Sequence, residues 1–212
     1  MRKMAAILFA IALMLTMAVP ALANESISDL EIAVTNVELE QSLSDDTLRV
    51  EVQEANTDNY TNNDVKTVVA AVNSTTLSTT VEGVAQKMKD YLPADTTLSS
   101  DGILTVLAQD GGEDTVLDLK EFDFVTNFKD LVLTDGSKVA FDDNGRVVSA
   151  KVTMIIDALK GETDLSNYRI MLINPDSGAM YFIELDPASF NSETGEITVD
   201  FPCLGAFSLI QK

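Results

Sequence analysis

Along the C-terminal half of the chain, apolar and polar positions alternate in short runs broken by turn residues. Val148, Ala150, Val152, Met154 and Ile156 share one face of an extended segment, with Ser149, Lys151 and Thr153 on the other. That period of two predicts a half-buried strand over Arg146–Ile156. The same reasoning predicts strands over Ile103–Ala108, Thr115–Leu119, Asp130–Leu133, Lys138–Asp142, Tyr168–Ile173, Met180–Leu185, Glu196–Phe201 and Ala206–Ile210. Asp135-Gly136, Asn144-Gly145, Ser177-Gly178 and Thr194-Gly195 supply turns in which the glycine takes a positive φ. Many short strands with frequent turns predict an antiparallel β-sandwich over residues 101–212.

The pattern before residue 100 is mixed. Ile27, Leu30, Val34 and Val37 fit a helical repeat, whereas Leu30, Ile32 and Val34 alternate as a strand does. The Val, Ile and Thr content of Ile27–Leu43 favours strand. Leu48, Val50 and Val52 alternate with Arg49, Glu51 and Gln53, which predicts a second strand. Asn63 is placed to cap a helix whose apolar stripe is Val65, Val68, Val69 and Val72. Thr79 and Glu82 stand at capping-box spacing before a second stripe of Val81, Val84, Ala85, Met88 and Leu92, with Pro93 as the stop. The expected architecture is mainly β with some helix: a small α+β region over 24–100 followed by the sandwich. No Pro/Gly-rich linker separates the two, so the sequence also allows one continuous unit.

The first 23 residues change the picture of where the protein works. Arg2 and Lys3 precede an apolar stretch from Met4 to about Val19, Pro20 breaks it, and Ala21-Leu22-Ala23 places small residues at both positions a signal peptidase reads. The expected product starts at Asn24 and is secreted or envelope-associated, with no membrane span after cleavage. The chain of 212 residues carries 34 Asp+Glu against 14 Lys+Arg, a formal −20. Loss of Arg2 and Lys3 with the leader leaves 12 bases against the same 34 acids, or −22.

Composition excludes several chemistries. With no His there is no Ser-His-Asp triad, Cys-His dyad or His-ligated zinc. One cysteine, Cys203, cannot close an internal disulfide. Beside Pro202, Phe201 and Leu204, and without a neighbouring cation, its thiol reads as a small buried apolar group. The acidic balance disfavours nucleic acid, whose phosphates require Lys and Arg. Ser-x-x-Lys and both glycine-rich phosphate motifs are absent.

Carboxylates are the abundant groups that remain. Hard cations take oxygen ligands, so calcium is the ion to consider. Candidate ligands are Asp58 and Asp64, with Asn59, Asn62 and Asn63 between them, and Asp110 and Asp114 across Gly111-Gly112-Glu113. Asp142-Asp143-Asn144-Gly145 is a third acidic loop but reads better as a hairpin turn. None has EF-hand spacing, and a polar surface loop is the competing reading of each. No cofactor other than calcium is suggested.

The C-terminal segments Asn174-Pro175-Asp176-Ser177-Gly178, Tyr181-Phe182-Ile183, Thr194-Gly195-Glu196-Ile197-Thr198 and Phe201-Pro202-Cys203-Leu204-Gly205-Ala206-Phe207-Ser208 resemble the β-rich end of uncharacterised exported proteins of Gram-positive bacteria. The resemblance covers about the last third of the chain. It implies a sandwich module on a secreted or envelope protein, and no catalytic residue or ligand. The expected function is binding or adhesion, with an extracellular protein or glycan as partner and no catalysis. The alternatives are a carboxylate-dependent, glycosidase-like hydrolase and a structural assembly subunit. A hydrolase needs two carboxylates across a cleft, and no spacing among the 34 acids singles out a pair.

Overall fold

The structure is a computed structural model and describes residues 32–39, 50–74, 79–108, 112–133 and 149–212. The leader, the strand expected over Lys138–Asp142, the turns at Asp135-Gly136 and Asn144-Gly145, and the acids Asp110, Asp142 and Asp143 lie outside these residues.

The first elements are strands β1 (Ile32–Leu39) and β2 (Val50–Glu54), then helices α1 (Asn63–Val72) and α2 (Val81–Lys87). Next come β3 (Thr96–Leu98), β4 (Ile103–Val106), β5 (Thr115–Asp118), β6 (Asp123–Phe124) and β7 (Lys129–Leu133). The chain closes with β8 (Ala150–Ile156), β9 (Tyr168–Ile173), β10 (Met180–Glu184), β11 (Phe190–Asn191), β12 (Glu196–Phe201) and β13 (Gly205–Gln211). The fold is thus mainly β with two helices among the described residues. Every strand pairing is antiparallel.

The strands form three sheets. Four run in the order β1-β8-β12-β11, three in the order β3-β4-β5, and six in the order β10-β9-β13-β7-β2 with β6 also on β13. Three pairings cross residue 100: the local β3–β4 hairpin and two long-range ones. β1 lies along β8, and β2 lies along β7. Strands from the stretch assigned to 24–100 therefore complete sheets built from the stretch assigned to 101–212.

Burial follows the pleat. In β8, Ala150, Val152, Met154 and Ile156 are buried and Lys151 is exposed, as alternation requires. These residues share a core with Ile170 and Leu172 of β9, Ile197, Val199 and Phe201 of β12, and Phe207 and Leu209 of β13. The other faces of β9 and β13 send Met171, Ile173, Ala206 and Ile210 into a second core with the helices. Both faces of these central strands are covered, so they read as continuous apolar runs instead of alternating ones.

The helices form where the valine stripes predicted them, with small corrections. Asn62, not Asn63, caps α1: its Oδ1 accepts from the N–H groups of Asp64 and Val65 at 2.9 and 3.2 Å. Thr80, not Thr79, caps α2, its Oγ1 accepting from Gly83 N–H at 3.0 Å. The shift lets the first helical residue, Val81, enter the core fully. α2 also stops before Pro93. The Met88 N–H bonds to both Val84 and Ala85 carbonyls, tightening the backbone into a short 3-10 turn over Lys89–Tyr91.

Candidate functional site

The site is built on the hairpin joining β9 to β10. Its turn, Asn174-Pro175-Asp176-Ser177-Gly178, is organised by Asn174, whose Oδ1 accepts from the N–H groups of Asp176 and Ser177 at 3.0 and 2.9 Å. Gly178 has φ +80, and its N–H donates to the Asn174 carbonyl. A Cβ at this glycine would lie 2.7 Å from Asn62 Nδ2 and 2.8 Å from the Tyr91 ring, so both backbone and packing require glycine. The turn is seated on the entry to α1. Asn62 N–H donates to the Pro175 carbonyl, and Thr61 Oγ1 donates to Asp176 Oδ1 at 2.6 Å.

From this anchored turn, β10 runs along one edge of the six-stranded sheet, with β9 as its only strand partner among the described residues. The Ile173 carbonyl points at β13, since a Cβ on Gly205 would sit 2.5 Å from it. Ile173 thus directs its backbone groups away from β10, and Tyr181 and Ile183 are the residues of β10 that bond back to β9. The backbone groups of Met180, Phe182 and Glu184 face outward.

A groove of about 210 Å³ follows this edge. Met180, Tyr181, Phe182 and Ile183 form one wall. Pro93, Val106 and Pro202 supply further apolar surface beside Thr96, and Asp95 is the one carboxylate among the described lining residues. Tyr181 is half-buried there. Burial chiefly, then the neighbouring Cys203 and Asp95, raise its phenol above the ordinary tyrosine value. The groove is an apolar slot beside a strand edge with a negative charge at its rim, which suits a ligand carrying apolar and cationic groups.

Cys203 lies behind this wall and is 3% exposed. Burial pushes its thiol up to about 11, against a hydrogen bond from Asn174 that acts the other way. A rise from 9.0 to about 11 cuts the thiolate fraction at pH 8 about a hundredfold, and the thiolate is the nucleophile. A thiol reagent at pH 8 is expected to label the folded protein at least that much more slowly than the protein in denaturant. Equal rates would show an accessible thiol.

Of the carboxylates considered for calcium, Asp58, Asp64 and Asp114 are described, and each is bonded in a different place. Asp58 is exposed on a single 3-10 turn, Thr57–Asn59, and its N–H donates to Asn56 Oδ1. Asp64 lies in the first turn of α1, and its Oδ2 accepts from the Tyr91 hydroxyl at 2.9 Å. Asp114 Oδ1 accepts from Ala108 N–H at 3.0 Å. Among the described residues, no three or more His, Cys, Asp or Glu side chains gather as a metal-holding group.

No protein-family model, curated protein or solved structure matches this sequence. Among the described residues, no helix is long and apolar enough to cross a membrane. In the sequence Phe182 and Pro202 stand out only within the C-terminal resemblance, and nothing marks Asp95.

Proposed function

We propose that this chain is a secreted or envelope-associated protein that works by binding an extracellular protein or glycan, on a β-sandwich module. The observation that carries the reading is the groove beside the outer edge of β10. It is apolar along most of its length and is held by an anchored turn, so it is preformed for a ligand. The leader-like first 23 residues support export, and the C-terminal resemblance to exported proteins of Gram-positive bacteria supports it independently. The core shared by the four- and six-stranded sheets supports the sandwich. A glycoside hydrolase needs two carboxylates flanking its substrate, and among the described residues this lining contains one, Asp95, which favours binding over hydrolysis.

The test has two readouts on the protein as its own cells make it. Fractionation and N-terminal sequencing are expected to find it in the culture fluid or envelope, beginning at Asn24. Immobilised, it is expected to retain an envelope or culture-fluid component saturably, with release by excess free protein. Calcium dependence would appear as loss of retention with a chelator. A cytoplasmic protein still carrying Met1, or one that retains nothing saturably, would overturn the proposal.

A further inference from the structure

We propose that the outer edge of β10 accepts an extended, basic peptide segment of another protein as an added strand. This deepens the binding reading above by naming the class of partner.

Open strand edges are templates for another chain, and proteins protect them with bulges, charges or brevity. Most edges of this molecule carry such protection. β1 has a register shift between Val34 and Asn36. β2 carries Glu51, Gln53 and Glu54. β3 has three residues and β11 two. β5 ends in Asp118 and follows exposed Glu113 and Asp114. β10 has five residues, Met180 to Glu184, and one charge, Glu184, which is already paired with Arg169 at 3.0 Å. Its four residues with exposed surface, Tyr181 to Glu184, span about 14 Å, room for a short peptide strand.

The backbone supplies the template. Met180 is buried, and among the described residues the accessible outward N–H and C=O groups without a hydrogen-bond partner are those of Phe182 and Glu184. An added strand would bond to these groups, and its side chains would alternate between the faces of the sheet. Those on one side would meet Val106 and Thr96, and those on the other Pro202.

Charge selects the occupant. A second copy of this chain could also add its β10, but each copy is strongly acidic, −20 for the full sequence and −22 from Asn24, and the two repel. A partner with Lys or Arg is attracted by the whole molecule, and Asp95, whose Oδ1 already accepts from Thr96 Oγ1, adds one negative charge in the groove. The occupant that fits the edge, the apolar lining and the field is therefore a β-forming segment with interspersed basic residues.

The experiment measures fluorescence polarisation of three labelled peptides with the isolated protein. One alternates Lys and Val, one alternates Glu and Val, and the third is the Lys/Val peptide N-methylated at alternate backbone nitrogens on the edge it would present. The basic peptide is expected to bind saturably, at least about tenfold more tightly than the N-methylated one, which keeps its charge but loses strand hydrogen bonds. The acidic peptide is expected not to bind. F182P removes one outward N–H and no bond to β9, a placement that edge strands tolerate, and is expected to weaken the basic peptide about tenfold. D95N is expected to weaken it about threefold at low salt and less at high salt. Equal binding of the basic and N-methylated peptides would overturn the proposal, because attraction would then be charge alone. So would absence of saturable binding, or a concentration-dependent dimer that F182P abolishes. If F182P still retains the envelope partner undiminished, the edge proposal falls and the binding reading stands. If the peptide binds as expected but the protein stays in the cytoplasm with Met1, the export reading falls and the edge proposal stands.

Discussion

Phe207→Ala is expected to lower the unfolding free energy by about 4 kcal/mol, the range for truncating a fully buried phenylalanine. Phe207 has no exposed surface and lies on β13, between β9 and β7 in the six-stranded sheet. Its ring meets Phe201 of β12 edge-on, with centroids 5.3 Å apart and planes at 71°. The contact joins the two larger sheets, so the truncation removes both transfer free energy and an aromatic pair, and the flanking strands cannot close the cavity without breaking register. Urea unfolding should show a lower midpoint with an unchanged slope. Val116→Ala, at a position 60% exposed on β5, is the control and should change stability by no more than about 0.5 kcal/mol. A loss at Phe207 below about 1.5 kcal/mol would mean that the two sheets are loosely packed there.

The strength of that core was legible in the chain because its strands carry their pattern locally. The expected bounds of β9 and β12, Tyr168–Ile173 and Glu196–Phe201, coincide with the observed ones. Each is a β-branched or aromatic run closed by turn residues, and Gly178 and Gly195 take the positive φ expected of them. β13 extends one residue further at each end than its alternation indicated, and β10 ends one residue earlier. Local pattern does not name partners. Nothing in Ile32–Leu39 identifies β8, more than a hundred residues later, as the strand it pairs with. β3, β6 and β11 have two or three residues each, too short for a period to show, and they exist because a neighbouring strand completes their hydrogen bonds. The groove was illegible for the same reason. Its walls come from Pro93–Thr96, Val106, Met180–Ile183 and Pro202, which read singly as turn or core residues. The helix caps missed by one residue because Asn62 and Asn63, or Thr79 and Thr80, are chemically equivalent until packing decides which neighbour is buried.

Asp130 is the polar residue whose role the sequence concealed most fully, and its loss is the second large effect expected. It begins an apolar strand segment and reads as a surface acid, yet it is 1% exposed in β7. Its Oδ1 accepts from the Tyr60 hydroxyl at 2.5 Å and its Oδ2 from Asn56 N–H at 2.9 Å. These bonds tie the segment between β2 and α1 to the six-stranded sheet. Asp130→Ala leaves a buried phenol and a backbone N–H without this acceptor, and should cost about 3 kcal/mol. Tyr60→Phe removes one donor to a charged acceptor and should cost about 2 kcal/mol. The double variant should cost less than the sum of the two, because each single change already breaks their shared bond. Full additivity would show that the two side chains stabilise the fold independently.

The same pair sets an alkaline limit. Burial first, and then the charge of Asp130, raise the Tyr60 phenol well above its ordinary value of 10.0. The folded state therefore keeps that proton where the unfolded chain releases it. The contribution is complete below pH 10, the unfolded value, and is lost progressively as pH rises towards the folded one. Tyr168, raised to about 12 mainly by burial, and Cys203, raised to about 11, act in the same direction. Stability measured by urea unfolding should thus be nearly flat from pH 7 to 9 and fall above that. Tyr60→Phe lacks one of the releasing groups, so its curve should fall less steeply and its deficit against the wild type should shrink between pH 10 and 11. A constant deficit across that interval would show that the Tyr60 proton is not held by the fold.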